Sequence, residues 1–109
     1  MHEFVLEERT YLFAESCREF VKKLPRTISN IEYGRQLIRS SGSQAANYIE
    51  ANESLSKKDF FHRIKICRKE AKESRLWLRL CPDNGEQKIL IAEAVELTKI
   101  FSSIVSKNN

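Results

Sequence analysis

Few side chains in this sequence have the types and spacing that catalysis needs. The two histidines, His2 and His62, stand far apart, and His62 has no serine or cysteine nucleophile at a recognisable spacing. Glu50 and Glu53 lie about one helical turn apart, close enough to act as an acid–base pair or to hold a cation. The plainer reading is that they are solvated or paired with Lys57 and Lys58. Three cysteines, Cys17, Cys67 and Cys81, are odd in number and widely spaced, a poor disulfide framework, and no C-x-x-C or histidine cluster accompanies them. They read as small core hydrophobes in a reducing compartment. The E-x-x-H pairs of a di-iron bundle are absent, as is a glycine-rich phosphate loop. No catalytic residue, metal or cofactor is expected, and a hydrolase built on Glu50 and Glu53 is the weakest reading.

Charge is the more informative chemistry. The net charge is +4, but residues 57–79 hold 9 basic and 3 acidic side chains, a local net of +6, while residues 1–56 (7 basic, 8 acidic) and 80–109 (3 basic, 4 acidic) are each at −1. On a helical wheel, Lys58, Lys65, Arg68, Lys69, Lys72, Arg75 and Arg79 fall on one flank of a single helix. Such a ridge can neutralise successive phosphates and release counterions, the sequence-independent basis of nucleic-acid affinity. The alternative is a solvated face paired with carboxylates of neighbouring helices. Glu70 and Glu73 project to the other side of the helix and cannot cancel the ridge well.

The elements that position these groups follow from apolar periodicity. Phe13, Cys17, Phe20 and Leu24 mark a first helix from Glu7 to Leu24, stopped by Pro25. A second begins near Ser29, where Ser29 and Glu32 have capping-box spacing, and carries Gly34, Ile38, Ser41, Ala45 and Asn52 on its core stripe with Ile31 and Ile49 beside it. The run Ser40–Ser43 invites a kink. A third, capped by Ser56, repeats Phe60, Ile64, Cys67, Ala71, Ser74, Leu78 and Cys81 at heptad spacing. Pro82–Gly85 forms a tight turn, and a fourth helix from Glu86 to Ser106 carries Leu90, Ala94, Leu97, Phe101 and Ile104. With 41% hydrophobic and 31% charged residues, only three glycines and two prolines, and no period-2 stretch, the chain is expected to be one all-α domain, residues 1–109, folded as an antiparallel up-down-up-down four-helix bundle. No apolar run approaches the roughly 20 residues of a membrane span. The N-terminus lacks the basic start and apolar stretch of a signal peptide, so a cytoplasmic protein is expected.

Some large apolar side chains fall off these seams: Ile66, Trp77 and Leu80 with Leu76 on the third helix, and Tyr33, Leu37 and Tyr48 on the second. An exposed apolar face of this size marks a homo-oligomer interface, against the alternative of a broad core.

The stretch from Ser41 to Leu80, with SGSQAAN, EAN, SKKDFFH and KEAKESRLWL, resembles the bacterial four-helix bundle proteins associated with 23S rRNA intervening sequences. Gln44, Ala45 and Leu76 depart from residues common in that family. The resemblance implies a left-handed up-down bundle that assembles into rings, commonly pentamers. It also implies kinship with the accessory protein of diversity-generating retroelements, whose basic ring engages nucleic acid and a reverse transcriptase. The resulting expectation is a non-catalytic oligomeric scaffold binding RNA or DNA electrostatically through Lys58–Arg79. The alternative is a protein-interaction scaffold that partners a nucleic-acid enzyme without touching nucleic acid itself.

Overall fold

Four helices account for nearly all of the chain: α1 (His2–Lys22), α2 (Ile28–Asn52), α3 (Lys57–Leu80) and α4 (Gln87–Val105), followed by a short 3-10 turn, Ser106–Asn108. This is a computed structural model that describes residues 2–108, with side chains from Val5 onward. Among the described residues there is no strand, and no helix is long and apolar enough to cross a membrane.

The helices pack as a bundle 44 Å long and about 20 Å across. Helix α2 packs on α1 and on α3, α3 packs on α4, and the α1 and α4 backbones come close at fewer points, so α1 and α3 sit diagonally. One continuous core runs through all four, with Phe13, Cys17 and Phe20 from α1, Ile64, Cys67, Ala71 and Leu78 from α3, and Leu90, Leu97 and Phe101 from α4. All ten of these core positions were expected from heptad spacing.

Helix α1 starts five residues before the expected Glu7 and ends just short of Pro25, whose ring excludes the preceding residue from the helical region. Helix α2 runs without a break through Ser40–Ser43. Its cap is Thr27, not Ser29: the Thr27 hydroxyl accepts from the Asn30 amide at 3.1 Å, and Glu32 turns to Arg35 instead. Ser56 caps α3 as expected, accepting from the Asp59 amide at 3.0 Å. The α3–α4 turn needs Gly85, whose φ is +94°, and Asp83 accepts from the Gly85 amide at 2.8 Å. Gln87, the first residue of α4, donates to the Leu78 and Cys81 carbonyls at 2.8 and 2.6 Å, satisfying the end of α3.

The second helix is rotated from the expected setting. Its buried stripe is Asn30, Gly34, Leu37, Ser41, Gln44, Tyr48 and Ala51, with Ser40 also buried. Ile38, expected in the core, is 46% exposed, and Ala45 is only half-buried. Leu37 and Tyr48, expected on an outer interface, are instead 0% and 4% exposed inside the bundle. The rotation is fixed by polar contacts that a hydrophobicity pattern does not report. The Gln44 amide donates to the Thr10 and Ser41 carbonyls at 2.9 Å each, and Ser40 shares a 2.8 Å hydrogen bond with Ser74 of α3. Gly34 admits the close approach of α1, since a Cβ there would sit 2.7 Å from a Val21 methyl carbon.

Candidate nucleic-acid interface

The basic side chains are presented by α3, whose opposite face is anchored in the core by Ile64, Cys67, Ala71 and Leu78. Lys58, Lys65, Lys69, Lys72, Arg75 and Arg79 are exposed, and Arg68 is half-buried. At 1.5 Å per residue the array from Lys58 to Arg79 extends about 30 Å along the helix axis. Among the described residues, none of the seven forms an ion pair with a carboxylate. Pairing with the carboxylates of the described residues therefore does not describe this face.

The cause lies on α2. Glu73 follows Lys69 by four residues, a spacing at which opposite charges normally pair along a helix. Arg39 takes that carboxylate instead, at 2.9 Å, while its other amino group meets Glu70 at 3.1 Å. Burial opposes ionisation of Glu70, but hydrogen bonds from Arg39 and Ser43 outweigh it and hold its carboxyl below the ordinary value of 4.5. The Arg39 guanidinium is correspondingly raised, first by its hydrogen bond to Glu70. Lys65, Arg68, Lys69 and Lys72 line a shallow depression with Glu73 and Leu76, so Glu73 lies beside the array and not on the far side of the helix as expected, and it is Arg39 that holds its carboxylate.

Lys57, weighed with Lys58 as a partner for Glu50 and Glu53, instead leans over the Phe61 ring at 6.0 Å and lines a shallow depression with Lys58 and Lys65. Arg63 is withdrawn from the array by a 2.9 Å hydrogen bond to Asn47. Phe61 is buried and offers no stacking surface.

The off-seam residues divide. Leu76 and Leu80 are exposed, and Ile66 is half-buried. Tyr33 and Trp77 stack on each other across α2 and α3, with centroids 6.1 Å apart, and pack against the core, while Leu37 and Tyr48 lie within it. The large exposed apolar residues that the sequence reading missed as surface are Val5, Tyr11 and Leu12 on α1, Ile28, Ile31, Ile38 and Ile49 on α2, Leu55 between α2 and α3, and Ile89 on α4. Glu50, Glu53 and His62 are exposed, and among the described residues no three metal-ligating side chains converge. Cys17, Cys67 and Cys81 are buried free thiols; desolvation pushes Cys17 and Cys67 up to about 12.

Residues 3–103 match the family model described as 23S rRNA-intervening sequence protein. The chain belongs to that family. A crystal structure of a protein with unknown function from the S23 ribosomal protein family of Bacteroides thetaiotaomicron VPI-5482 superposes with a TM-score of 0.85 at 25% identity, covering 97% of this chain and 99% of the other. No curated protein matches the sequence. The family and the four-helix fold thus agree with the reading of SGSQAAN and KEAKESRLWL.

Proposed function

We propose that this member of the 23S rRNA-intervening sequence protein family is a non-catalytic, homo-oligomeric scaffold of the cytoplasm that binds RNA or DNA through the basic array on α3. Its helices alternate in direction as a left-handed up-down bundle, and a ring, with five copies the number implied by the sequence resemblance, multiplies weak contacts through effective concentration. The observation that carries the reading is the set of seven basic side chains on one helix flank with no ion pair among the described residues. Lysines supply point charges and arginines bidentate contacts to phosphate, with little reading of bases. A family named for 23S rRNA makes RNA the first polymer to try.

Fluorescence anisotropy with mixed-sequence RNA and DNA tests this. Binding is expected to weaken with salt at a log–log slope of about −0.9 per phosphate contact on duplex DNA and about −0.7 on single strands. Reversing Arg68, Lys72 and Arg75 to Glu is expected to abolish binding while circular dichroism and assembled mass stay unchanged. If neither polymer binds at low salt, the array serves a protein partner instead. Leu76 and Leu80, exposed beside the basic residues, favour that second reading, because an acidic partner would need apolar contacts as well as charge.

A further inference from the structure

The first turns of α3 differ from the rest of the basic array. Lys57, Lys58, Phe61, His62 and Lys65 fall within about 140° of one another around the helix and within about 12 Å along it. With Asn108, from the 3-10 turn after α4, they line a concavity of about 440 Å³. Phe61, 8% exposed, forms its floor, and the Lys57 ammonium lies 6.0 Å from the centre of that ring. Lys57, Lys58, His62 and Lys65 are exposed around it. No carboxylate lines the concavity, since Asp59, the acidic residue of these turns, lies outside it. Among the described residues, none of the four basic side chains forms an ion pair. The depression further along the array differs, because Glu73 stands in its lining.

We propose that this concavity takes the terminal phosphate of a nucleic-acid strand, so that a strand end is held at Lys57 and the rest of the strand runs along α3 toward Arg79. The inference rests on the nucleic-acid reading of the basic array and names the part of the polymer that its first turns recognise. A diester within a strand carries one negative charge and two free oxygens. A terminal monoester carries nearly two charges at neutral pH and three acceptor oxygens. Donors strung along a helix flank match a row of diesters, whereas donors gathered around one concavity match a compact and more highly charged group. Lys57, Lys58 and Lys65 bring three ammonium groups to it, His62 a ring N–H and Asn108 a carboxamide NH₂. The site reads phosphate and not base, because Phe61 is packed edge-on against Phe60 and overlain by Lys57, which leaves no ring face to stack on. A free nucleotide carries the same monoester but cannot reach the cations from Arg68 to Arg79, so a strand is the better ligand.

Competition against a labelled strand, read by fluorescence anisotropy, tests this with one short RNA sequence bearing a 5′-phosphate, a 3′-phosphate or hydroxyls at both ends. At least one phosphorylated form is expected to compete about five- to tenfold better than the hydroxyl-ended form, the effect of two or three exposed ion pairs acting together. Which form gains gives the direction of the strand on α3. The double variant Lys57→Gln/His62→Gln changes two exposed side chains outside the seven of the array, and circular dichroism checks its fold. It should bring the three forms within about twofold of one another. Lys72→Gln/Arg79→Gln, further along the helix, should weaken all three forms and keep the preference. Equal competition by the three forms on wild-type protein overturns the proposal. So does a preference that survives Lys57→Gln/His62→Gln, or one that Lys72→Gln/Arg79→Gln removes equally, which would be the effect of net charge alone. Failure of the array is read separately. Salt-dependent binding of all three forms without preference keeps the array and overturns the end site, binding of a phosphorylated form alone does the reverse, and binding of none overturns both.

Discussion

Arg39 reaches from α2 to two carboxylates of α3 and serves two ends at once. It compensates Glu70, whose side chain is 7% exposed, and it draws Glu73 away from Lys69. Arg39→Ala leaves the burial of Glu70 offset mainly by its hydrogen bond from Ser43. Because the arginine is itself 49% exposed, the expected cost is modest, about 1–2 kcal/mol at pH 7 by urea denaturation. The Glu70 carboxyl is depressed in the folded state, so the stabilisation is fully present above its ordinary value of 4.5 and is lost as pH falls through the lower folded value. The difference between wild type and Arg39→Ala should therefore shrink toward pH 3. A gap that stays constant across that range contradicts the assignment. Freed from Arg39, Glu73 is expected to pair with Lys69 and weaken polymer binding, a loss that Glu73→Gln in the Arg39→Ala background should restore.

At the level of the helices, the two glycines of α2 differ in what surrounds them. Gly34 faces Val21 at a distance that a methyl group cannot share, whereas a Cβ at Gly42 meets nothing within 4 Å. Gly34→Ala is expected to destabilise by roughly 1–3 kcal/mol through overpacking, less what the helix gains in propensity. Gly42→Ala is expected to stabilise by about 0.5–1 kcal/mol through propensity alone. Thermal melts that shift in the same direction for both would show that α1 and α2 are not held as closely as described. The same helix shows where sequence reading succeeds and where it stops. Helix α3 was legible because its buried face is made of Ile64, Cys67, Ala71 and Leu78, and apolar periodicity reports such a face directly. In α2 the buried stripe includes Asn30, Ser40, Ser41 and Gln44, while all four isoleucines face outward, so the apolar signal points away from the core. The partners that decide the matter, the Thr10 carbonyl and the Ser74 hydroxyl, are each 34 residues away and invisible to any local window. The basic array was legible because charge on a helix flank is a local property. Its freedom from pairing was not, since that depends on Arg39, 31 and 34 residues from the two glutamates it binds.

For the whole molecule, the uneven packing of the four helices has a measurable result. Helix α1 is held mainly by α2 and lies less closely against α4, whereas α3 is packed on both neighbours. Opening α1 alone therefore costs less than global unfolding. Burial holds the Cys17 and Cys67 thiols at about 12, so neither reacts appreciably near neutral pH in the closed state, and labelling of each reports the opening of its own helix. Pulse labelling with a thiol reagent in sub-denaturing urea, read by mass spectrometry, should modify Cys17 before Cys67. Equal rates would mean that the bundle opens only as a unit.

The order in which the helices touch also bears on how the chain is made. Each of the extensive contacts, α1 with α2, α2 with α3 and α3 with α4, joins elements adjacent in sequence, and the only extended gap is closed by the slight α1–α4 contact. A chain emerging from the ribosome can thus lay each new helix on the one before it. Cys17 meets Ser41 as soon as α2 is laid down, whereas Phe13, which also lies beside Ile89 and Leu90, waits for α4 and the Arg9–Glu93 pair. Sequential connection of neighbouring helices keeps the nascent apolar surface short-lived, with the seam between α1 and α4 the last part of the fold to take shape.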